Sequence, residues 1–404
     1  MNINIIEIKN FSQVQNELTK IDCDPVGIHI LKPKLLFRVI KVENIRSKAA
    51  NILKQTFLGK GGDVAVSRHA ADLSEEYTDV LIGATMKQYR LALAQLKVQP
   101  WGLASLAEKI EQILRNVDQL PNRKYNWQDR NLTIDHENSL IMGILNVTPD
   151  SFSDGNKYNC IDQAIRRVEE LQIDGADMID IGAESTRPYG GNEKISADQE
   201  MERLIPILEA VLPYCKVPVS VDTYKASVAE AALQYGAHII NDIWGLQYDE
   251  EMAKVVAKYD VPVVVMHNKN ENDYPEGIMH DMDCFFRKSI DIGRENGIKR
   301  ENIIIDPGIG FAKTTAQNLY VMSKLEAFRA LDCPILLGTS RKRFIGDVLN
   351  LPVHDRVEGT LATAALGKTK GVQIHRVHDV KQVKRILKMM DVMTRSGEND
   401  EDFD

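Results

Sequence analysis

The sequence is short of cysteine, of long apolar runs and of excess positive charge, and each shortage excludes a class of protein. Five cysteines are scattered over 404 residues without a Cys-x-x-Cys pair, so neither a disulfide framework nor a cysteine-based zinc site is expected. No apolar run approaches the roughly eighteen residues that span a membrane, and the amino terminus lacks the pattern of a secretion signal. The net charge of −8 at pH 7 argues against a nucleic-acid-binding surface. We therefore expect a cytoplasmic protein that binds neither nucleic acid nor membranes.

Several catalytic motifs are also missing. The sequence has no G-x-G-x-x-G fingerprint after a strand, no H-E-x-x-H pair and no G-x-S-x-G elbow. A dinucleotide cofactor, a catalytic zinc ion and a serine hydrolase triad are therefore not expected. The stretch GKGG lacks the rest of a phosphate loop, and we interpret it as a flexible turn before a strand.

From Leu140 onward, short apolar segments alternate with amphipathic helices. The apolar segments are LIMGILNV, MIDIG, PVSVD, HIIND, VPVVVMH, NIIID, PILLG and VQIHR. Continuous apolar runs are typical of strands buried on both faces, as in a parallel sheet. Eight such units in about 250 residues predict an α/β fold of the (β/α)₈ TIM-barrel type, with a doubly wound sheet as the competing fold.

The first 120 residues have a different pattern, which predicts a small α/β domain of unknown role. We expect strands in NINIIEI and PKLLFRVIKV, and helices near Phe11–Lys20, in IRSKAANILKQTF and in LASLAEKIEQILRNV. The predicted domains are residues 1–120, a barrel domain over 121–396 and an acidic, disordered tail over 397–404. We assign PNRKYNWQDRN to the junction. An alternative role for the first domain is an interaction or dimerisation module.

Polar residues gather at the carboxyl ends of the predicted barrel strands, where barrels place their active sites. They are Asn146, Glu184, Asp222, Asn241, Asp242, His267, Asp306, Ser340, Arg341, Lys342 and Arg376. The carboxylates and amides could bind a ring that presents N–H donors beside carbonyl acceptors, or could simply hydrogen-bond to one another. The cations that follow the last two strands, with His378, favour a phosphate site.

Two segments rich in glycine, serine and proline follow the first two barrel strands. They are TPDSFSDGNKYN and AESTRPYGGNEKIS. Loops of this composition at a barrel mouth are suited to closing over a substrate. Asp154 and Arg187 could pair when both loops are closed.

Seven segments occur in the order found in one known family. They are GILNVTPDSFSDG, IGAESTRP, SVDT, INDI, DPGIGF, SRK and RVHD. Over about residues 139–393, the sequence resembles dihydropteroate synthase. The resemblance implies a transferase of folate biosynthesis and a target of sulfonamides, which condenses 4-aminobenzoate with 6-hydroxymethyl-7,8-dihydropterin diphosphate to give 7,8-dihydropteroate and diphosphate.

The resemblance also implies roles for individual residues. It places the pterin ring against Asp222, Asn241, Met266, Asp306 and Lys342. It places the diphosphate at Asn146, Arg376 and His378, with Mg²⁺ bound near Asn146. It places the aminobenzoate among Thr186, Pro188, Phe311 and Ser340, and loop closure at Asp154 and Arg187. Asp306, Lys342 and Arg376 are the expected catalytic residues.

The chain departs from the family pattern at three positions. Asn156 stands where the family commonly has a second glycine, Ala312 changes the GFGK motif, and Arg343 replaces a small hydroxyl residue. The last change puts a contact with the aminobenzoate carboxylate in question.

Two other functions would use the same pterin pocket. A pterin-binding methyltransferase should lack the SRK and RVHD cations, and a non-catalytic barrel is expected to lose Asn146, Lys342 or Arg376. All of these are present, so the synthase is the favoured function. We also expect the protein to be a homodimer.

Overall fold

The computed structural model describes residues 1–118, 121–147, 157–184 and 194–396. The chain divides into two compact units, Met1–Gln119 and Leu120–Thr394. Within the described ranges, no helix combines the length and apolar character needed to cross a membrane.

The first unit contains a small antiparallel sheet and several helices. In chain order its elements are α1 (Phe11–Lys20), α2 (Pro25–Leu35), β1 (Phe37–Arg46), α3 (Ser47–Leu58), β2 (Asp63–Val66), β3 (Tyr77–Thr85), α4 (Met86–Leu96) and α5 (Leu103–Asp118). The strands lie in the order β1–β3–β2. Alternate residues of β3, among them Val80 and Ile82, point to one face and are buried there with Phe57 and Tyr89. The helices α3, α4 and α5 therefore cover that face.

The structure confirms the predicted helices of this unit and corrects its first strand. The elements α1, α3 and α5 coincide with the predicted helices. The predicted strand in NINIIEI is wrong, since residues 1–9 form neither strand nor helix and Ile5 is fully exposed. An alternating apolar pattern becomes a strand only where a neighbouring strand shares its hydrogen bonds, and no described strand pairs with this segment.

The predicted junction is also more structured than expected. It contains a hairpin of β4 (Arg123–Asn126) and β5 (Asn131–Ile134). Tyr125, Leu132 and Ile134 are buried against residues at the amino-terminal ends of the barrel strands. The hairpin therefore closes the bottom of the barrel, opposite the face where a barrel's active site lies.

Eight parallel strands form the second unit's sheet. They are β6 (Leu140–Asn146), β7 (Met178–Gly182), β8 (Val219–Asp222), β9 (Ile239–Asp242), β10 (Val263–Met266), β11 (Ile303–Asp306), β12 (Leu336–Leu337) and β13 (Ile374–Val377). Their order is β11–β10–β9–β8–β7–β6–β13–β12. The ring closes between β11 and β12 through a parallel bridge of Ile305 with Ile335 and the bond from the Ile305 N–H to the Pro334 carbonyl, 2.9 Å long. The predicted TIM barrel is confirmed.

Helices surround this sheet. They are α6 (Lys157–Ile173), α7 (Ala197–Val211), α8 (Ala226–Gln234), α9 (Met252–Tyr259), α10 (Ile278–Glu295), α11 (Thr315–Ser323), α12 (Arg343–Leu349), α13 (Val357–Thr369) and α14 (Val380–Ser396). Short 3₁₀ helices cover Leu212–Tyr214, Arg300–Asn302, Leu325–Leu331 and Val353–Asp355. Apolar residues of the helices and the outer strand faces form one large core.

A buried carboxylate of the last helix binds Ser139, the residue that precedes the first barrel strand, and a buried lysine. The Asp391 carboxylate of α14 accepts from the Ser139 N–H at 2.9 Å and the Ser139 hydroxyl at 2.7 Å. The Lys368 ammonium lies 2.6 Å from the same carboxylate, and both side chains are over nine-tenths buried. Breaking such a pair leaves an uncompensated charge in the interior.

We expect Asp391→Ala to lower the free energy of unfolding by about 3–5 kcal/mol, because the Lys368 charge stays buried. Urea unfolding followed by circular dichroism would measure the loss. The control is Asp283→Ala, which breaks a half-exposed pair with Arg287 and should cost less than about 1 kcal/mol. Equal losses for the two variants would contradict the assignment.

Candidate active site

Neighbouring strand ends bring the predicted pterin residues together at the barrel mouth. Asp222 ends β8 and is paired in register with Asn241 of β9. Met266 ends β10 and is paired with Asp306, which ends β11. All four side chains are at least nine-tenths buried. Their common position follows from the parallel arrangement, in which all strands end on the same side.

Arg376 of β13 forms ion pairs with two carboxylates at this mouth. Its Nε donates to Oδ2 of Asp180 at 2.6 Å, and its Nη2 donates to Oδ2 of Asp222 at 2.8 Å. Burial acts to lower the pKa of Arg376, but the two carboxylates outweigh burial and raise the pKa above its usual value. Arg376 therefore carries a permanent positive charge at the centre of the mouth.

Asp180 is the site residue that sequence reasoning missed. It lies inside β7 with no exposed surface, and its Oδ2 also accepts from the Asn241 amide at 3.2 Å. The available signal was a lone carboxylate within the apolar run MIDIG, because an ionisable residue is rarely buried in a strand without a partner.

Two carboxylate oxygens at the mouth are buried without a hydrogen-bond partner among the described residues. They are Oδ1 of Asp180 and Oδ1 of Asp222. Burial raises the pKa of Asp222 to about 7, and the Asp180 charge adds to this rise while Arg376 opposes it. Buried acceptors are normally satisfied. These two oxygens are therefore suited to N–H donors of a ligand.

Asp306 is held in place by the turn that follows it. Its Oδ1 accepts from the Gly308 N–H at 2.7 Å. Burial raises the pKa of Asp306, whereas Lys342, the Gly308 N–H, Arg376 and Lys313 act to lower it. A Cβ atom at Gly338 would lie 3.8 Å from both Oδ2 of Asp306 and Nζ of Lys342. The two opposite charges therefore both lie beside the end of β12.

The Lys342 ammonium lies near the Asp306 carboxylate and over the Phe311 ring. Its Nζ donates to the Ile309 carbonyl and sits 4.7 Å from the centroid of the Phe311 ring. Burial lowers the pKa of Lys342 to about 8, although Asp306 opposes the shift. Phe311 packs with Met266 against a small apolar cluster. The mouth therefore offers both charge and a flat apolar surface.

The remaining cations after β12 have other partners. Arg341 makes a two-point ion pair with Asp379, with N–O distances of 2.9 and 2.6 Å. Arg343 is largely exposed and lies 3.6 Å from Asp347. The sequence pattern grouped these arginines with Lys342 in one cationic patch, but of the three side chains Lys342 is the one that approaches Asp306.

His378 and Ser340 lie together beside this mouth. The Ser340 hydroxyl accepts from the His378 N–H at 3.1 Å and contacts Nδ1 of the ring at 3.0 Å. These contacts hold the imidazole in one orientation. Asn146 ends β6 beside Gly182 of β7 and is partly exposed. Both predicted diphosphate residues therefore belong to the same end of the barrel as Arg376.

Some predicted site residues lie outside the described residues. They are Asp154, Thr186, Arg187 and Pro188, and Asn156, one of the departures from the family pattern, also lies outside them. The described residues contain no group of three or more His, Cys, Asp or Glu side chains arranged to hold a metal ion.

Comparison with known proteins gives consistent matches for the barrel. Residues 142–378 match the family described as pterin binding enzyme. The chain is 56% identical over 261 residues to a dihydropteroate synthase of Bacillus subtilis. This match covers 65% of this chain and 90% of the relative. The structure of this chain is similar to that of a Xanthomonas albilineans dihydropteroate synthase with 4-aminobenzoic acid, with a TM-score of 0.64, 35% identity, and coverage of 68% of this chain and 98% of that one.

A third relative extends the similarity into the first unit. It is a probable bifunctional folylpolyglutamate synthase/dihydropteroate synthase of Halobacterium salinarum, 34% identical over 397 residues. The match covers 97% of this chain and 47% of the relative, so it includes most of the first 119 residues. Because the first unit and the barrel occur together in this relative as well, a separate interaction module is not the favoured role for the first unit.

Proposed function

Because the chain belongs to the dihydropteroate synthase family of pterin binding enzymes, we propose that its barrel condenses 4-aminobenzoate with 6-hydroxymethyl-7,8-dihydropterin diphosphate. The products are 7,8-dihydropteroate and diphosphate, and the enzyme is a transferase of folate biosynthesis. The observation that carries the proposal is the pair of unpartnered carboxylate oxygens of Asp180 and Asp222 in a mouth that also contains Asp306 and two cations.

The pterin ring fits the polar pattern of this mouth. The ring presents N–H donors beside a carbonyl, so it needs carboxylate acceptors on one edge and an ammonium or amide donor on another. We assign the acceptors to Asp222 and Asp306, and the donors to Asn241 and Lys342. Met266 supplies an apolar contact for the ring face, as its burial in the same cluster as Phe311 supports.

The reaction exchanges one bond at the pterin methylene carbon. The C–O bond to diphosphate breaks, the aminobenzoate nitrogen forms the new C–N bond, and that nitrogen loses a proton. Positive charge develops on the methylene and spreads into the ring as the bond breaks, and the ionised Asp306 stabilises this charge electrostatically. The attacking amine is neutral, so no strong general base is required.

The leaving diphosphate needs positive charge, which we assign to Arg376 with His378 and Asn146. Two of the five N–H groups of Arg376 are used by Asp180 and Asp222. The others can donate to phosphate oxygens while those pairs persist. The same side chain can thus compensate two buried carboxylates and stabilise the leaving group.

Mg²⁺ fits this site only as a companion of the diphosphate. The Asn146 amide supplies a hard oxygen ligand, and Mg²⁺ commonly takes one or two protein ligands and completes its shell with water and substrate phosphates. We propose that Asn146 is the protein ligand. The ion, when bound, would neutralise charge on the diphosphate.

The aminobenzoate is assigned to the outer part of the mouth. Phe311 offers an aromatic face there, and Ser340 lies beside His378. We propose that Thr186 and Pro188 complete this pocket and that Asp154 and Arg187 pair when the two loops close. Arg343 is a candidate for the aminobenzoate carboxylate in place of the usual small hydroxyl residue.

We further propose that the protein is a cytoplasmic homodimer. The five cysteines are free thiols, as is usual in a reducing compartment. Large apolar residues are exposed on α11, α12, α13 and the 3₁₀ helix between the last two, and they are Leu319, Tyr320, Val348, Leu349, Val353 and Leu366. Burying such residues against a second copy of the chain would stabilise a symmetric dimer.

The direct test is an assay of diphosphate release. With the full chain, release from the pterin diphosphate should require 4-aminobenzoate and should match the dihydropteroate formed. Absence of aminobenzoate-dependent release would overturn the proposal. Methyl transfer from a methylated folate would favour the methyltransferase instead.

Truncation tests the need for the first unit. A chain that starts at Pro121 should keep full diphosphate release per molecule, because it retains the hairpin and every assigned site residue. A chain that starts at Asp135 should not fold stably, because removing buried Tyr125, Leu132 and Ile134 costs at least about 5 kcal/mol. A folded but inactive Pro121 chain, identified by native circular dichroism, would show that the first unit takes part in the reaction.

A further inference from the structure

Lys313 is a buried ammonium that neither substrate is proposed to contact. Its side chain has 1% exposure, and it follows the turn after β11. Its Nζ lies 3.0 Å from the Gly308 carbonyl, 3.1 Å from the Phe311 carbonyl and 2.9 Å from Nδ1 of His267. These three acceptors match the three N–H donors of an ammonium group.

His267 connects this ammonium to the protein surface. Its Nε2 lies 3.0 Å from Oδ1 of Asp281, and the other oxygen of Asp281 accepts from Lys269 at 2.8 Å. Burial lowers the pKa of His267 to about 4, so the imidazole is neutral. With Nδ1 accepting from Lys313, the ring proton is on Nε2 and is donated to Asp281. A chain of two hydrogen bonds therefore runs from the Lys313 ammonium through the His267 ring to the Asp281 carboxylate.

The turn that Lys313 supports is conformationally tight. Gly308 and Ala312 both have positive φ angles, 62° and 45°, and a Cβ at Gly308 would lie 2.1 Å from the His267 carbonyl oxygen. A non-glycine residue at positive φ is held there by its surroundings. Lys313 binds carbonyls at both ends of the turn, which opposes its relaxation.

The same turn shapes the proposed pterin site. The Gly308 N–H donates to the Asp306 carboxylate, and the Phe311 ring lies against the Lys342 ammonium. Displacing the two carbonyls bound by Lys313 would therefore move both groups. The Lys313 charge also acts to lower the pKa of Asp306.

We propose that Lys313 is a positioning residue for the pterin: held by His267 and Asp281, its buried ammonium fixes the turn after β11 and keeps Asp306 ionised. This inference rests on the proposed function, in which Asp306 must be charged to bind the ring and stabilise the cation.

The charged groups around this pair determine the expected pH dependence. Asp306 faces Lys342, Arg376 and Lys313, and Lys313 faces Asp306, Lys342 and Asp281. Burial lowers the pKa of Lys313 to about 7 and the Lys342 charge adds to this shift, while the Asp306 and Asp281 carboxylates oppose it. Removing Lys313 takes one cation from Asp306 and so raises the pKa of that carboxyl. Activity that needs ionised Asp306 would then be lost at a higher pH during acidification.

The test is the pH profile of kcat/KM for the pterin diphosphate in Lys313→Met. We expect kcat/KM to fall roughly 10- to 100-fold through misplacement of the turn and the acid limb to move up by about one pH unit. The control Lys258→Met removes an exposed cation of α9 that pairs with Glu230 of α8, and its profile should match that of the wild type. An unshifted acid limb in folded Lys313→Met would overturn the proposal.

A second variant keeps the test decisive if Lys313→Met does not fold. His267→Leu removes one of the three described acceptors of Lys313, so its ammonium should lose its proton at lower pH and the basic limb should move down. A basic limb at its wild-type position would overturn the proposal. Lack of turnover by the wild-type protein would contradict the proposed function instead.

Discussion

Replacing Arg376 by alanine should lower kcat/KM for the pterin diphosphate by roughly 10²- to 10³-fold, as loss of a group that stabilises a developing charge does. It should also lower the free energy of unfolding by about 3–5 kcal/mol, because Asp180 and Asp222 would stay buried without their cation. Steady-state kinetics and urea unfolding would measure the two effects.

Two further variants separate these effects. Arg341→Ala removes a cation that pairs with Asp379 and not with Asp180 or Asp222, and should leave kcat/KM near the wild-type value. Combining Arg376→Ala with Asp222→Asn should restore part of the stability, because one buried charge is removed, without restoring turnover. Near-wild-type turnover in Arg376→Ala would show that the diphosphate binds elsewhere.

Asp306→Asn should abolish measurable pterin binding while the fold is kept. The amide can still accept from the Gly308 N–H, so the turn survives, but the charge that pairs with the ring donors is lost. A cost of about 3–5 kcal/mol, or roughly 10²- to 10³-fold or more in affinity, is expected for an unmatched buried group. Calorimetric titration with the pterin, beside thermal unfolding, would measure both properties.

The matched control is Asp242→Asn at the end of β9. Both oxygens of Asp242 accept backbone N–H groups of the following turn, from Trp244 at 2.8 Å and Leu246 at 2.7 Å. This variant should lose stability and keep pterin affinity. The assignment of Asp306 would be contradicted by wild-type affinity in Asp306→Asn, or by an equal loss of affinity in both variants.

The pH dependence of pterin binding should follow from Asp306 together with Asp222, the two assigned acceptors. Burial raises the pKa of Asp306 and raises that of Asp222 to about 7, and the ionised forms are the ones that bind. Affinity is therefore expected at high pH and should be lost on acidification, at a higher pH than for an exposed carboxyl group.

The barrel and most of its mouth could be predicted from the sequence because both depend on local patterns. Continuous apolar runs such as MIDIG are typical of strands buried on both faces of a parallel sheet, and a residue at a strand's carboxyl end must lie at the carboxyl face. These two rules are enough to place Asp222, Asn241 and Asp306 at the barrel mouth.

Other features depend on contacts between distant segments. The hairpin of β4 and β5 lies in the segment that the sequence predicts as a junction, because its few apolar residues form a core only against the barrel bottom. The strand predicted in NINIIEI is wrong for the converse reason, since no strand of the described residues pairs with this alternating segment. Neither outcome can be predicted without the neighbouring elements.

The sequence alone determined the repeat of strands and helices, the face that carries the polar residues, and the family motifs. Tertiary structure decided which charges meet. Asp180 is joined to Arg376 across 196 positions of chain, and Arg341 is directed to Asp379 while its neighbour Lys342 approaches Asp306. Pairing depends on side-chain direction and burial, because a charge removed from water must find its partner in space, and that partner need not be close in sequence.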